Sequence, residues 1–156
     1  LEIGAFIGIS GIYLARALPE GGKLMCIERG ADFAAIAAEN FRRNGVAKKV
    51  DLRVGDAKSI LRGLSARARF GLIFVDGDKD NYVTYMRLLR PHLAAGGVMI
   101  IDDALFHGDV LNPVPRTPKG KGVRAALREA AKWHECRRLL LPISNGMLLI
   151  MKGKAG

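Results

Sequence analysis

Cysteine, tryptophan and histidine are scarce, with two, one and three among 156 residues, and each scarcity excludes something. Cys26 and Cys136 lie far apart inside apolar runs, which gives neither a disulfide framework nor a CxxC metal pair. Two buried thiols in a reducing compartment is the reading that remains. His92, His107 and His134 form no ligand pair, so they are core or surface histidines, with His107 in a loop where it can touch a substrate. No stretch approaches the roughly 20 consecutive apolar residues of a membrane helix, and no charged-then-apolar leader precedes a small-residue cleavage site. A cytoplasmic location is expected. Acidic residues are also few: 15 Asp plus Glu face 25 Lys plus Arg, which keeps nucleic acid among the candidate partners. The cations concentrate in Arg42 to Arg69 and Arg116 to Arg138, much of it helix surface, where a solvated face is the commoner explanation.

What the chain does contain is apolar residue at 49% and charge at 26%, the balance of a globular fold rather than a disordered segment. Its length suits one domain over residues 1–156, since domains run to roughly 100–200 residues. The beginning is abrupt. Leu1 is not a start methionine, and Leu1, Glu2 and Ile3 alone precede Gly4, where the pattern requires a strand and strands average about 5–6 residues. Sequence upstream of Leu1 is therefore expected.

Short β-rich runs alternate with longer stretches of helical spacing. The strands predicted are Lys23 to Glu28, Val50 to Val54, Phe70 to Asp76, Val98 to Asp102, Arg138 to Leu141 and Met147 to Met151. Helices are predicted over Ser10 to Leu18, Ala31 to Asn44, Ala57 to Leu64, Asn81 to Leu93 and Gly122 to Trp133, because apolar residues recur there every three or four positions. Trp133 and Tyr85 are expected to pack against the sheet. Pro19 to Gly22, Asn44-Gly45 and Ala95-Gly96-Gly97 read as turns. Runs such as Leu72 to Val75 and Val98 to Ile101 are apolar at successive positions, as in parallel strands covered on both faces. The fold class is α/β with a doubly wound, mostly parallel sheet. The last two runs are separated only by Pro142 to Gly146, a hairpin length, so an antiparallel strand should close the sheet. Ala104 to Lys121, with Pro113, Pro115 and Pro118, reads as a mobile lid.

In such sheets ligands bind outside the carboxyl ends of the strands, where the informative polar residues fall. Glu2 to Ser10 runs from a strand into a helix, with glycines that allow close backbone approach and Ser10 placed as a cap. It is not GxGxxG, because Phe6 stands where a pyrophosphate needs bare backbone, and a dinucleotide is disfavoured. Glu28 ends the second strand, either solvated or accepting from the hydroxyls of a ribose. Asp56 either caps the next helix or faces an adenine edge. Asp76 and the pair Asp102-Asp103 end adjacent strands only about 5 Å apart, where they repel one another unless a cation lies among them. Hard oxygen donors with no cysteine or histidine suit Mg²⁺, Mn²⁺ or Ca²⁺ rather than zinc. Acidic strand ends are also common without any metal.

Four segments together resemble a known family: Leu1 to Ser10, Phe74 to Tyr82, Gly96 to Gly108 and Leu141 to Gly146 are similar to the cation-dependent O-methyltransferases. That family includes catechol and caffeoyl-coenzyme A methyltransferases and small bacterial relatives, built on the S-adenosylmethionine-dependent Rossmann-like fold. The resemblance implies that Glu2, Gly4 and Ser10 line the site for the methionine part of the cofactor, that Glu28 binds its ribose, and that Asp56 and Ala57 lie near its adenine. It implies metal ligation by Asp76, Asp102 and Asp103, with Asp76 also beside the cofactor, and Lys79 as the general base next to the acceptor hydroxyl. Without the family pattern Lys79 reads as a solvated lysine at a helix start. Two departures stand out. The family usually carries asparagine where this chain has Asp103, and its members have helices before the glycine motif that close the substrate pocket and pair subunits, so a homodimer is one expectation. The leading functional reading is methyl transfer to a small catechol-like acceptor. The alternatives are methylation of a hydroxylated base in tRNA, or a cofactor-binding or RNA-binding remnant without activity.

Overall fold

The computed structural model describes residues 1–154, which form two compact units meeting in sequence at Gly63 and Leu64. The first unit contains β1 (Glu2–Ile3), α1 (Ile9–Ala17), β2 (Leu24–Glu28), α2 (Ala31–Arg43), β3 (Val50–Val54) and α3 (Ala57–Arg62). Strand β2 pairs in parallel with both neighbours, Cys26 standing opposite Glu2 on one side and Leu52 on the other. Helix α2 buries Ala34, Ala37 and Phe41, three positions of one helical face. It ends where the Gly45 N–H donates to Arg42 O at 3.1 Å and the Val46 N–H to Phe41 O at 3.0 Å, a paired cap that satisfies the last carbonyls. Phe41 seats on the Gly8 turn, where an added Cβ would lie 2.9 Å from the ring and φ is +85°. Glycine is required there on both grounds. Burying a phenyl ring of this kind stabilises by about 1.5–3 kcal/mol.

The second unit contains β4 (Phe70–Val75), α4 (Tyr82–Leu89), β5 (Leu93–Ile101), α5 (Pro118–Ala131), β6 (Cys136–Leu141) and β7 (Met147–Lys152). Strands β4 and β5 are parallel, β7 runs antiparallel beside β5, and β6 pairs antiparallel with β7. The expected hairpin and closing antiparallel strand are thus present. Ile73, Val75, Met99 and Ile101 are fully buried and alternate with half-buried neighbours. Trp133 and Tyr85 are buried as expected, with the Arg90 guanidinium 5.0 Å from the Trp133 ring centroid. No helix among the described residues is long and apolar enough to cross a membrane.

Three local expectations are corrected. Ala95-Gly96-Gly97 is not a turn but part of β5, which shifts register against β4 between Phe70 and Leu72; the glycines absorb that irregularity. Helix α4 stops at Leu89, because Pro91 has no N–H to donate back into the helix, and a 3₁₀ turn over Arg90–His92 follows. Ser10 caps nothing: Gly8 is the N-cap of α1 and no side chain caps it. The Ala104 to Lys121 stretch holds short 3₁₀ turns over Phe106–Leu111, separated by a kink at His107 and Gly108, and the first turn of α5. Asp109 pins it, accepting from the Arg116 N–H at 2.8 Å, the Thr117 N–H at 3.0 Å, Thr117 Oγ1 at 2.7 Å and Asn112 Nδ2 at 3.0 Å. Those bonds hold its carboxyl far below the usual range.

Candidate cofactor loop and carboxylate cluster

In the first unit, the turn after β1 is built by side chains that reach back to its backbone. Glu28, at the end of β2, accepts from the Phe6 N–H at 2.8 Å with one oxygen and from the Gly30 N–H at 2.8 Å with the other. It ties the β1–α1 turn to the start of α2. A carboxylate offers about four acceptor sites, so these two bonds fix its orientation without exhausting it. Phe6 is held at φ +48°, a conformation non-glycine residues adopt at some energetic cost, typically at ligand sites. Its exposed ring meets Phe33 with centroids 4.5 Å apart. Gly4 bonds Ile27 O through its N–H at 2.9 Å, which keeps the turn against β2.

Glu2 is fully buried. It accepts from the Ser10 hydroxyl and from the Cys26 thiol at 3.0 Å, so it orients Ser10 rather than presenting its own oxygens outward. Burial, followed by the Glu2 charge, pushes the Cys26 thiol far up. Cys26 is therefore an inert core thiol. Asp56 caps α3, accepting from the Ser59 N–H at 3.2 Å and Ser59 Oγ at 3.0 Å, which decides for a cap at one of its oxygens. Ala57 is buried beneath it.

In the second unit, β4 and β5 deliver the acidic group. Asp76, Asp102 and Asp103 each place a carboxylate oxygen within 4.8 Å of the others. Lys79 bridges two of them, its Nζ 3.0 Å from Asp76 Oδ1 and 2.7 Å from Asp103 Oδ2, with only 13% of its side chain exposed. Burial opposes the charge on Lys79, yet the bonds to Asp103 and Asp76 outweigh it and hold the ammonium well above its usual value. The solvated-lysine reading is therefore set aside. Burial, then the charge of Asp76, raises the Asp102 carboxyl. For Asp103, burial works in the same direction but the hydrogen bond from Lys79 prevails and lowers it. Asp103 sits at φ +54°, a left-handed conformation that aspartate and asparagine tolerate better than most residues. Three hard oxygen donors within 4.8 Å of one another, two of them on the Lys79 ammonium, have the chemistry to hold a divalent cation. The Tyr82 hydroxyl nearby is buried with no hydrogen bond among the described residues.

Two supports of this cluster were not legible as such in the sequence. Gly122, in the first turns of α5, packs on the Lys79 carbonyl so tightly that an added Cβ would also lie 2.9 Å from Asp80 Cα. Gly146, in the β6–β7 loop, leaves 2.9 Å between its own would-be Cβ and the Leu105 N–H, and its carbonyl accepts from Ala104 N at 2.8 Å. The neighbouring Asn145 carbonyl accepts from the Leu105 N–H at 2.6 Å. Two glycines two residues apart at a helix start, Gly120 and Gly122, were the signal available, since glycine weakens helices and is spent where backbones must approach. The histidines take no part in a ligand set: His92 is buried with Nδ1 3.0 Å from Ala68 O, and His134 is exposed. His107 is exposed, with Nε2 3.5 Å from Asn145 Nδ2.

Comparison with known proteins places this geometry among relatives. A family model described as O-methyltransferase matches residues 1–153. Caffeoyl-CoA O-methyltransferase 1 of Eucalyptus globulus is 37% identical over 127 residues, covering 80% of this chain and 51% of the relative. Catechol O-methyltransferase of Niastella koreensis is 36% identical over 130 residues, covering 80% of this chain and 57% of that protein. The chain thus spans about half the length of the curated relatives it matches. Among solved structures, an O-methyltransferase of Streptomyces achromogenes in complex with SAM superposes with a TM-score of 0.90 at 31% identity, over 97% of this chain and 71% of that one.

Proposed function

The chain belongs to the O-methyltransferase family, and on that premise we propose that it transfers a methyl group from S-adenosylmethionine to a hydroxyl of a small catechol-like acceptor, with a divalent cation, Mg²⁺ first among candidates. The observation that carries this reading is the convergence of Asp76, Asp102 and Asp103 around Lys79. The names of the relatives, which act on caffeoyl-CoA and catechol, support an acceptor with adjacent hydroxyls on an aromatic ring.

In this reading the first unit holds the cofactor. Glu28, already oriented by two backbone N–H groups, accepts from the ribose hydroxyls. Gly4 and Ser10 line the methionine end, and Glu2 acts through Ser10. Asp56 and Ala57 lie by the adenine. S-adenosylmethionine supplies an activated methyl sulfonium, so the protein's task is alignment and proton removal, and alignment alone is worth roughly 7–11 kcal/mol in the best cases. A cation held by Asp76, Asp102 and Asp103 supplies positive charge that lowers the pKa of an acceptor hydroxyl. Lys79 Nζ keeps its proton while Asp76 and Asp103 accept from it. With those carboxylates engaged elsewhere, burial would disfavour the ammonium, which would release its proton to solvent and leave a neutral Nζ able to take the acceptor's proton.

Calorimetric titration with S-adenosylmethionine and with NAD tests the cofactor assignment. S-adenosylmethionine should bind, and Glu28→Gln should weaken it by about tenfold, one good hydrogen bond to a charged group. Tight NAD binding with no response to S-adenosylmethionine would contradict the reading.

A further inference from the structure

Helix α5 carries more positive charge than its own stability explains. Between residues 116 and 132, Arg116, Lys119, Lys121, Arg124, Arg128 and Lys132 stand against Glu129 alone, so half of the chain's net charge of +10 lies on this short segment. Arg128 and Lys132 near the helix C-terminus sit favourably in its dipole. Lys119 and Lys121 do not: they lie in the first turns, which contain no acidic residue, at the end where cations oppose the dipole. A helix needing only solubility would place acids there.

These cations line a concavity. Lys121, Arg124, Arg128 and Lys132 recur at helical spacing and form one row about 16 Å long, at 1.5 Å rise per residue. With Arg87 from α4 they border a cavity of about 400 Å³. Its opposite wall is Pro113 to Pro115, fixed to the helix by Arg124, which donates to Asn112 O at 2.6 Å and Pro113 O at 2.9 Å. The one acid of the groove is already engaged, Glu129 pairing with Arg87 at 2.9 Å and Lys132 at 3.6 Å. Lys121 and Arg128 are both exposed, lie on either side of Ala125, and have no side-chain partner among the described residues.

We propose that this groove docks the phosphodiester backbone of a base-paired nucleic acid, without reading its sequence. A row of cations at regular spacing matches a line of phosphates, which position a protein on a duplex but carry no sequence information. No aromatic side chain borders the cavity, so unpaired bases have no stacking platform. This proposal is independent of the methyl-transfer reading and does not make the nucleic acid the methyl acceptor.

Fluorescence anisotropy with a labelled duplex RNA tests it. Affinity should fall about 10²-fold between about 50 and 200 mM salt, as release of counterions from some four phosphates requires. Lys121→Glu with Arg128→Glu should weaken binding at least about tenfold, whereas Arg43→Glu with Lys48→Glu, an equal change of charge on the first unit, should leave it within about twofold of the parent. Thermal melting of each variant checks the fold, and Lys121→Gln with Arg128→Gln repeats the comparison with a milder change. Equal weakening by both pairs would reduce the effect to bulk charge and overturn the proposal. So would absence of binding at the lower salt, tighter binding to a single strand of the same sequence, or groove-dependent binding to phosphatidylserine vesicles instead of the duplex.

Discussion

Lys79 bears the heaviest chemical role assigned to any one side chain, and its environment makes that role measurable. It is largely buried and held between two carboxylates, so Lys79→Met removes a base without opening a route to solvent. Turnover should drop by roughly 10²–10⁴, the usual contribution of a positioned general base, while calorimetric affinity for S-adenosylmethionine stays nearly unchanged. Ordinary turnover would return Lys79 to a structural ion pair. Asp103 has a second test. An extra negative charge about 4 Å from a cation is worth up to about 4 kcal/mol per unit of cation charge at an effective dielectric near 20, before desolvation and carboxylate repulsion reduce it. Asp103→Asn should therefore weaken Mg²⁺ binding in a metal titration. It should also move the rising limb of the pH–rate profile to lower pH, because the cation is less neutralised. Unchanged values in both would remove Asp103 from the ligand set. At this scale the acidic strand ends were legible, because Asp76 and Asp102 each directly follow a continuous apolar run. Ser10 was misread as a cap, because nothing local in the sequence reveals that Glu2 is buried beside it.

The elements position these residues through close contacts that substitution can probe. Gly122→Ala places a methyl group against the Lys79 turn, which must shift by a fraction of an ångström or more. A misplacement of about 1 Å can lower turnover about 10²-fold, and overpacking of this kind destabilises by about 1–3 kcal/mol. Steady-state kinetics should show kcat falling well beyond any change in KM. Wild-type kcat would mean that the turn is free to adjust. The α4–α5 contact has its own pH signature. Glu129 is held below the usual carboxyl range, mainly by its hydrogen bond from Arg87 and despite burial. Its folded pKa lies below its unfolded one, so its contribution is complete above about pH 4.3 and is lost as pH falls through the folded value. Glu129→Gln should flatten the decline of the denaturation midpoint below that pH, and lower stability at neutral pH by about 1 kcal/mol, the partner arginine being exposed. Most strands were legible to within a residue or two, since β-branched and apolar runs bounded by turn residues leave little choice. Strand β5 was not, because Ala95-Gly96-Gly97 has turn composition and only pairing against β4, with Leu93 opposite Phe70 and Val98 opposite Leu72, carries the strand across it. The local structure of the Ala104 to Lys121 stretch was not legible for a related reason: the four bonds that converge on Asp109 come from residues 112 to 117 and depend on a loop geometry that composition does not encode.

Across the whole molecule, each unit carries its own part of the proposed chemistry: an oriented ribose acceptor and glycine turn in the first, a carboxylate cluster with its lysine in the second. The family was legible from four short segments because each combines a backbone requirement with a chemical one, as in Asp76 to Asp80 after a buried strand. The acceptor was not, because nothing in those segments is shaped by it. The central claim is cation-dependent methyl transfer, and one assay reaches it directly. S-adenosylhomocysteine release is measured from the chain with S-adenosylmethionine and catechol, first in excess chelator and then with Mg²⁺ restored. No product above background is expected in chelator, and full turnover on restoration. Equal turnover in the chelated sample, with metal analysis showing none bound, would contradict it.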